Sequence, residues 1–240
     1  MPINLVYPNI LRAQKPQKDN DFYVVKEALV SLILMLFLVD KELAMQLSDL
    51  DFDKTYTYAD YLTWTFDERL EILKGKLFKM TPAPNRYHQR LSGIIFNQLS
   101  NFLKGKPCHV YSAPFDVRLS RKNAADETVT TVFQPDICVV CDLEKLDDRG
   151  CVGAPDIVVE ILSPGNNKKE LRNKFEIYEE AGIKEYWVVW PLSQTFLKYT
   201  LNEAEKYVPS RILTSGDLVT TPVLPGFVLD LEEVFEEANS

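Results

Sequence analysis

Two carboxylates stand where apolar residues would be expected. Glu160 lies inside the run Ile157-Val-Val-Glu-Ile-Leu162, and Asp136 immediately precedes the apolar stretch Ile137-Cys-Val-Val140. Side chains alternate along a strand, so Asp156, Val158 and Glu160 share one face, while Ile157, Val159 and Ile161 share the other. On the neighbouring segment Asp136, Cys138 and Val140 share a face in the same way. An uncompensated buried carboxylate costs several kcal/mol or shifts its pKa, and two brought together repel. Two resolutions are open. A divalent ion that prefers hard oxygen ligands, Mg²⁺ or Mn²⁺, fits between Asp136 and Glu160. Alternatively, Glu160 ends in a salt bridge with a nearby lysine or arginine. A basic run follows in Lys168-Lys-Glu-Leu-Arg-Asn-Lys174, with four basic residues against one acid. Lys174 comes three residues after Leu171 and four before Tyr178, which puts it beside an apolar helix face, within reach of the sheet end. The same run also suits a solvated helix face.

Other chemistries fit less well. The chain has no Gly-x-Ser-x-Gly elbow and no phosphate-cradling G-x-x-x-x-G-K-[ST] loop, and only nine glycines. Ser163 has two candidate histidine bases, His88 and His109, both distant in sequence. Cys138 and Cys141 have a C-x-x-C spacing, but no second pair of zinc ligands follows. The four cysteines are read as free, small apolar side chains, in keeping with a reducing cytoplasm. The net charge is −8, so a nucleic-acid role needs a local basic patch.

These residues need elements to hold them. Thr57 caps a short helix, and two strands flank a turn at Lys74-Gly75. Apolar residues at 91, 94, 95, 99, 102 and 103 mark a helix over 88–103. Extended segments follow at 108–119, 132–140 and 156–162, then a helix over 168–181 and a strand over 185–190. A hairpin, a last strand and a short C-terminal helix complete the chain. The order helix, three strands, helix, strand predicts an α/β fold with one mixed sheet flanked by helices.

Several ordered motifs resemble one family. Gln134-Pro-Asp-Ile137, Ala154-Pro-Asp-Ile-Val-Val-Glu-Ile-Leu-Ser-Pro164, Lys174-x-x-x-Tyr178 and Gly182-Ile-Lys-Glu-Tyr-Trp-Val-Val-Trp-Pro191 are similar to the Uma-two family. That family consists of restriction-endonuclease-like proteins of the PD-(D/E)XK nuclease superfamily. Upstream, Glu71-Ile-Leu-Lys-Gly-Lys-Leu77, His88-Gln89 and Ala113-Pro-Phe-Asp-Val-Arg-Leu119 fit the same pattern, and the resemblance spans residues 56–231. It implies a restriction endonuclease-like core, metal-dependent cleavage of DNA, and Asp136 and Glu160 as metal ligands. The superfamily lysine belongs at position 162, where this chain has Leu162, so the resemblance shifts that role to Lys174, with Lys169 as alternate. Glu71 adds a carboxylate from the first hairpin. The family commonly has an acid at position 74, where this chain has Lys74. His88, Gln89 and Asp116 match family positions, and Lys168, Lys169 and Arg172 join His88 and Gln89 as candidate contacts to nucleic acid. Asp156 is expected to be a structural acid.

The expected function is a Mg²⁺- or Mn²⁺-dependent endodeoxyribonuclease, with a symmetric homodimer suited to double-strand cleavage. Leu162 motivates an alternative, a catalytically inactive nucleic-acid-binding or regulatory module on the same fold. Residues 1–50 are expected to form an N-terminal extension, either an upstream mis-start with Met45 as the true start or a poorly ordered segment, and residues 51–240 the nuclease-like domain. The apolar run over 28–39 is shorter than the ~20 residues of a membrane span, and charged residues flank it. A cytoplasmic protein without membrane attachment is therefore expected.

Overall fold

The computed structural model describes residues 46–80, 85–163 and 168–239, and over 168–170 the backbone alone. The extension expected over 1–50 lies outside the described residues up to Met45, as do the apolar run over 28–39 and the side chains of Lys168 and Lys169. Among the described residues no helix is long and apolar enough to cross a membrane.

A 3-10 turn at Leu47–Asp49 leads to Leu50, which is buried against Tyr58 and Leu70. The elements then follow as α1 (Tyr58–Tyr61), β1 (Leu70–Leu73), β2 (Lys76–Lys79), α2 (Arg86–Leu103), β3 (His109–Ser112), β4 (Val117–Arg118), β5 (Val132–Phe133) and β6 (Ile137–Val140). Next come β7 (Leu146–Asp147), β8 (Gly150–Val152), β9 (Ile157–Ile161), α3 (Lys168–Ala181), β10 (Glu185–Trp190) and β11 (Thr195–Leu201). The chain ends with β12 (Tyr207–Pro209), β13 (Leu213–Thr214), β14 (Leu218–Thr220), β15 (Val228–Asp230) and α4 (Leu231–Asn239). The β1–β2 turn has positive φ at both Lys74 (50°) and Gly75 (79°), the geometry that matches strand twist in a two-residue hairpin.

The strands build two large sheets, not the single one expected. One has the order β2-β1-β5-β4-β8-β7, the other β12-β11-β10-β9-β6-β3, with β13 also on β11 and β14–β15 paired apart. Prolines explain the split. The extended segments expected over 108–119 and 132–140 are each interrupted, at Pro114 and Pro135, which have no N–H for a ladder. On one side of each proline the chain pairs in the second sheet (β3, β6), on the other in the first (β4, β5).

The expected core order is present as α2, β3, β6, β9, α3 and β10. β9 and β10 are parallel, with Trp187 opposite Val159, and α3 joins them; β6 runs antiparallel to both β9 and β3. One face of this sheet buries Ile137, Val139, Ile157, Val159 and Ile161 with α2 and α4. The other buries Cys138, Val140, Val158 and Leu162 with Ile177 and Tyr178 of α3 and with Leu73, Val117 and Phe133 of the first sheet.

The cysteine expectation is corrected. Cys108 and Cys141 form a disulfide, while Cys138 and Cys151 are free and buried. The β3–β6 register sets His109 opposite Val140, so the next pair is Cys108 and Cys141, whose Cα atoms are 3.9 Å apart. The C-x-x-C spacing therefore joins a bridged cysteine to a core one, and the argument from free thiols for a reducing compartment falls away.

Candidate active site

The β6–β9 register brings the two anomalous carboxylates together. Ile137 faces Val159, so one residue further Asp136 stands opposite Glu160 at the end of β9. The Ile161 N–H donates to Asp136 Oδ2 at 2.7 Å. From the α2 side, Asn85 caps the helix by accepting the His88 N–H at 2.9 Å. This cap fixes the first turn, and His88 Nε2 lies 3.3 Å from Asp136 Oδ2. Burial pulls the His88 pKa down, but the hydrogen bond and charge of Asp136 outweigh it and leave the ring above its ordinary value.

Helix α3 reaches Glu160 from the other face. Lys174 Nζ lies 3.0 Å from Glu160 Oε1 and 3.0 Å from Glu71 Oε1, and the Tyr178 hydroxyl donates to Glu160 Oε1 at 2.7 Å. Lys174 and Tyr178 are four residues apart, hence on one helix face. Glu71, Glu160 and Lys174 are all buried. Burial pushes the Glu160 carboxyl up to about 7, with Lys174 pulling it down and the charges of Asp136 and Glu71 pushing it further up. Burial opposes the charge on Lys174, yet Glu160 and Glu71 together hold it protonated, well above its ordinary pKa. Burial, then Glu160, holds the Tyr178 proton on its oxygen.

The structure thus brings Asp136, Glu160, Lys174, Glu71 and His88 to one place. Gln89 is exposed and does not join them. Arg172 is exposed and pairs along its helix with Glu176 at 2.8 Å. Lys74 pairs with Glu180 on the surface at 2.6 Å. Asp156 accepts the Cys141 N–H at 2.7 Å and pairs with Lys184 at 2.7 Å, as a structural acid does. Leu162, where the resemblance leads one to expect a lysine, is buried in the apolar cluster. Tyr178 was read as part of the apolar face of α3; its place four residues after Lys174 was the signal for its second role. Gln134 appeared in the sequence only as a motif letter.

Asp136 and Glu160 offer hard carboxylate oxygens, the donor type that Mg²⁺ or Mn²⁺ takes. Among the described residues no group of three or more His, Cys, Asp or Glu is arranged to hold an ion. A closed zinc site needs four such ligands, whereas Mg²⁺ commonly uses one or two carboxylates and completes its shell with water and substrate phosphate. Asp136 and Glu160 each have one oxygen engaged, and Asp136 Oδ1 and Glu160 Oε2 have no hydrogen-bond partner among the described residues.

Comparison with known proteins places the chain in a family. The profile of the Uma2 family, described as "Putative restriction endonuclease", matches residues 58–232. The chain belongs to the Uma2 family. It is 23% identical over 175 residues to the "Uncharacterized protein slr1290" of Synechocystis sp., covering 72% of this chain and 88% of that one. A crystal structure described as "a putative nuclease belonging to DUF820", from Anabaena variabilis, superposes with a TM-score of 0.61 at 17% identity. It covers 76% of this chain and 99% of that one, and at this identity the likeness bears on the nuclease-like fold alone.

Proposed function

We propose that this protein is a Mg²⁺- or Mn²⁺-dependent endodeoxyribonuclease that hydrolyses DNA phosphodiester bonds. The observation that carries the reading is Glu160, which faces Asp136 across the β6–β9 ladder with Lys174 Nζ 3.0 Å from its Oε1. Asp136 and Glu160 are the residues that would hold the ion. The chemistry supplied there is Lewis-acid stabilisation of the charge that develops on the phosphoryl oxygens. His88 holds Asp136 through Nε2, and Tyr178 orients Glu160. Lys174, held protonated by Glu160 and Glu71, offers a fixed positive charge beside the carboxylates and acts through that charge, not as a base. It arrives from α3 and supplies the cation that Leu162 lacks, which favours an active site over the inactive module.

Cleavage of supercoiled plasmid tests this, in EDTA, Mg²⁺ or Mn²⁺, with wild type, Asp136→Ala and Glu160→Ala. The expected result is metal-dependent cleavage that falls by about 100-fold or more in each variant, the scale of losing one electrostatic contributor to the transition state. No cleavage by wild type, or cleavage untouched by both substitutions, overturns the reading in favour of the inactive module. A symmetric dimer would release linear plasmid directly, whereas a monomer would accumulate nicked circles first.

A further inference from the structure

Gln134 stands two residues before Asp136, and its amide is enclosed by three partners. Its Nε2 donates to Asp116 Oδ1 at 2.7 Å and to the Tyr61 hydroxyl at 3.2 Å. Its Oε1 accepts from Arg69 Nε at 3.0 Å and Nη2 at 2.5 Å. These partners come from α1, from the residue before β1 and from the segment before β4. The Gln134 backbone N–H meanwhile donates at 3.3 Å to Glu71 Oε1, the same oxygen that holds Lys174. Asp116 is itself anchored. Its carbonyl accepts the Cys151 N–H at 2.8 Å, and Gly150 passes so close that a Cβ there would lie 2.2 Å from that oxygen.

The amide uses both donors and both acceptor lone pairs, a pattern only Asn or Gln supplies. A carboxylate would meet Asp116 with like charge, and an ammonium would meet Arg69 likewise. No hydrogen bond joins Tyr61, Arg69 or Asp116 to Asp136 or Glu160 among the described residues, so the amide acts on the carboxylates only through the backbone it holds.

We propose that Gln134 is a positioning residue. It fixes the peptide that delivers Asp136 and, through its N–H, the Glu71–Lys174–Glu160 chain, and so sets the spacing of the two carboxylates for a divalent ion. The proposal rests on the nuclease reading above, and binding of Mn²⁺ alone, without DNA, separates the two. Free Mn²⁺ is titrated by electron paramagnetic resonance against wild type, Gln134→Glu, Gln134→Glu/Asp116→Asn and Arg69→Ala, with thermal unfolding of each measured alongside. Gln134→Glu is expected to weaken Mn²⁺ binding by about 10–100-fold, the usual effect of losing an outer-shell partner. Adding Asp116→Asn exchanges acid and amide, recreates the pair and restores most of the affinity. Arg69→Ala, at an exposed position, weakens binding in the same direction but less. A role confined to folding would move the unfolding temperature and leave the Mn²⁺ affinity of the folded variants unchanged; that result overturns the proposal. If Gln134→Glu does not fold, wild-type affinity in Arg69→Ala overturns it instead. Wild type that binds no Mn²⁺ overturns the metal reading, and this proposal with it.

Discussion

The ammonium of Lys174 sits between Glu71 and Glu160, and removing it leaves two buried negative charges facing each other. Breaking a buried pair by deleting one partner typically costs about 3–5 kcal/mol. At about 2–4 °C per kcal/mol for a domain of this size, Lys174→Met should lower the unfolding midpoint by about 6–20 °C. Adding Glu160→Gln to Lys174→Met removes one stranded charge and should recover part of the loss, since the two sites share an interaction. Calorimetry of the single and double variants checks this; a single variant that unfolds at the wild-type temperature would show that the pair contributes no net stability. Much of this cluster was legible in the sequence. Glu160 stood out because a carboxylate interrupts an apolar strand, Asp136 because it is in phase on the next segment, and Lys174 because of its helical spacing. Glu71 was not visible from spacing, since its strand is distant in sequence; only the family resemblance pointed to it. Tyr178 was visible as apolar and invisible as a donor, because the pattern that marks a buried ring says nothing about its hydroxyl.

Elements were legible by type more than by partner. The helices α2 and α3 and the strands β9 and β10 follow from periodicity, whereas nothing local states which strand pairs with which. Pro114 and Pro135 were the available clue that two extended segments each serve two sheets. The Cys108–Cys141 bridge escaped notice for the same reason, being a property of the β3–β6 register and not of either segment. β10 carries a further consequence at its first residue. Glu185 is fully buried; the Trp187 Nε1–H donates to its Oε2 at 2.7 Å, Lys198 Nζ lies 3.7 Å from Oε1, and Thr221 faces it. Burial outweighs these partners and pushes the carboxyl above its ordinary value. A carboxylate raised in the folded state binds its proton more tightly there than when unfolded. Its contribution is therefore full below the ordinary carboxylate pKa of about 4.3 and is lost as pH rises through the raised folded value. Glu185→Gln keeps an acceptor for Trp187 and removes the titration. The variant should gain on wild type as pH rises through that window and show a constant difference above it. Urea unfolding across pH 4–8 measures this, and a constant difference at every pH would mean that Glu185 titrates alike in both states.

Under the nuclease reading, charge over the whole molecule sets how DNA would be approached. The chain carries a net charge of −8, so at long range it repels a polyanion. Among the described residues, three exposed cations are already paired, Arg69 with Gln134, Arg172 with Glu176 and Lys74 with Glu180. The site adds a carboxylate pair that itself opposes a phosphate. Under the nuclease reading, a divalent ion at Asp136 and Glu160 reverses that local sign, so DNA affinity should depend on it more than on surface lysines. Fluorescence anisotropy with a short labelled duplex is expected to show weak binding in EDTA and clear binding in Ca²⁺, a hard oxygen-seeking ion of different size and geometry from Mg²⁺. Each phosphate contact contributes a log–log salt slope of about −0.9, so few contacts should give a slope much shallower than that of a basic DNA-binding protein. Screening of the overall negative field by salt flattens it further, because charges beyond about 8 Å are largely screened at physiological ionic strength. Asp136→Asn should remove the Ca²⁺ dependence and leave the residual EDTA binding in place. Strong, steeply salt-dependent binding in EDTA would instead mean that a basic surface holds DNA without the carboxylates, and that the ion serves only the chemical step.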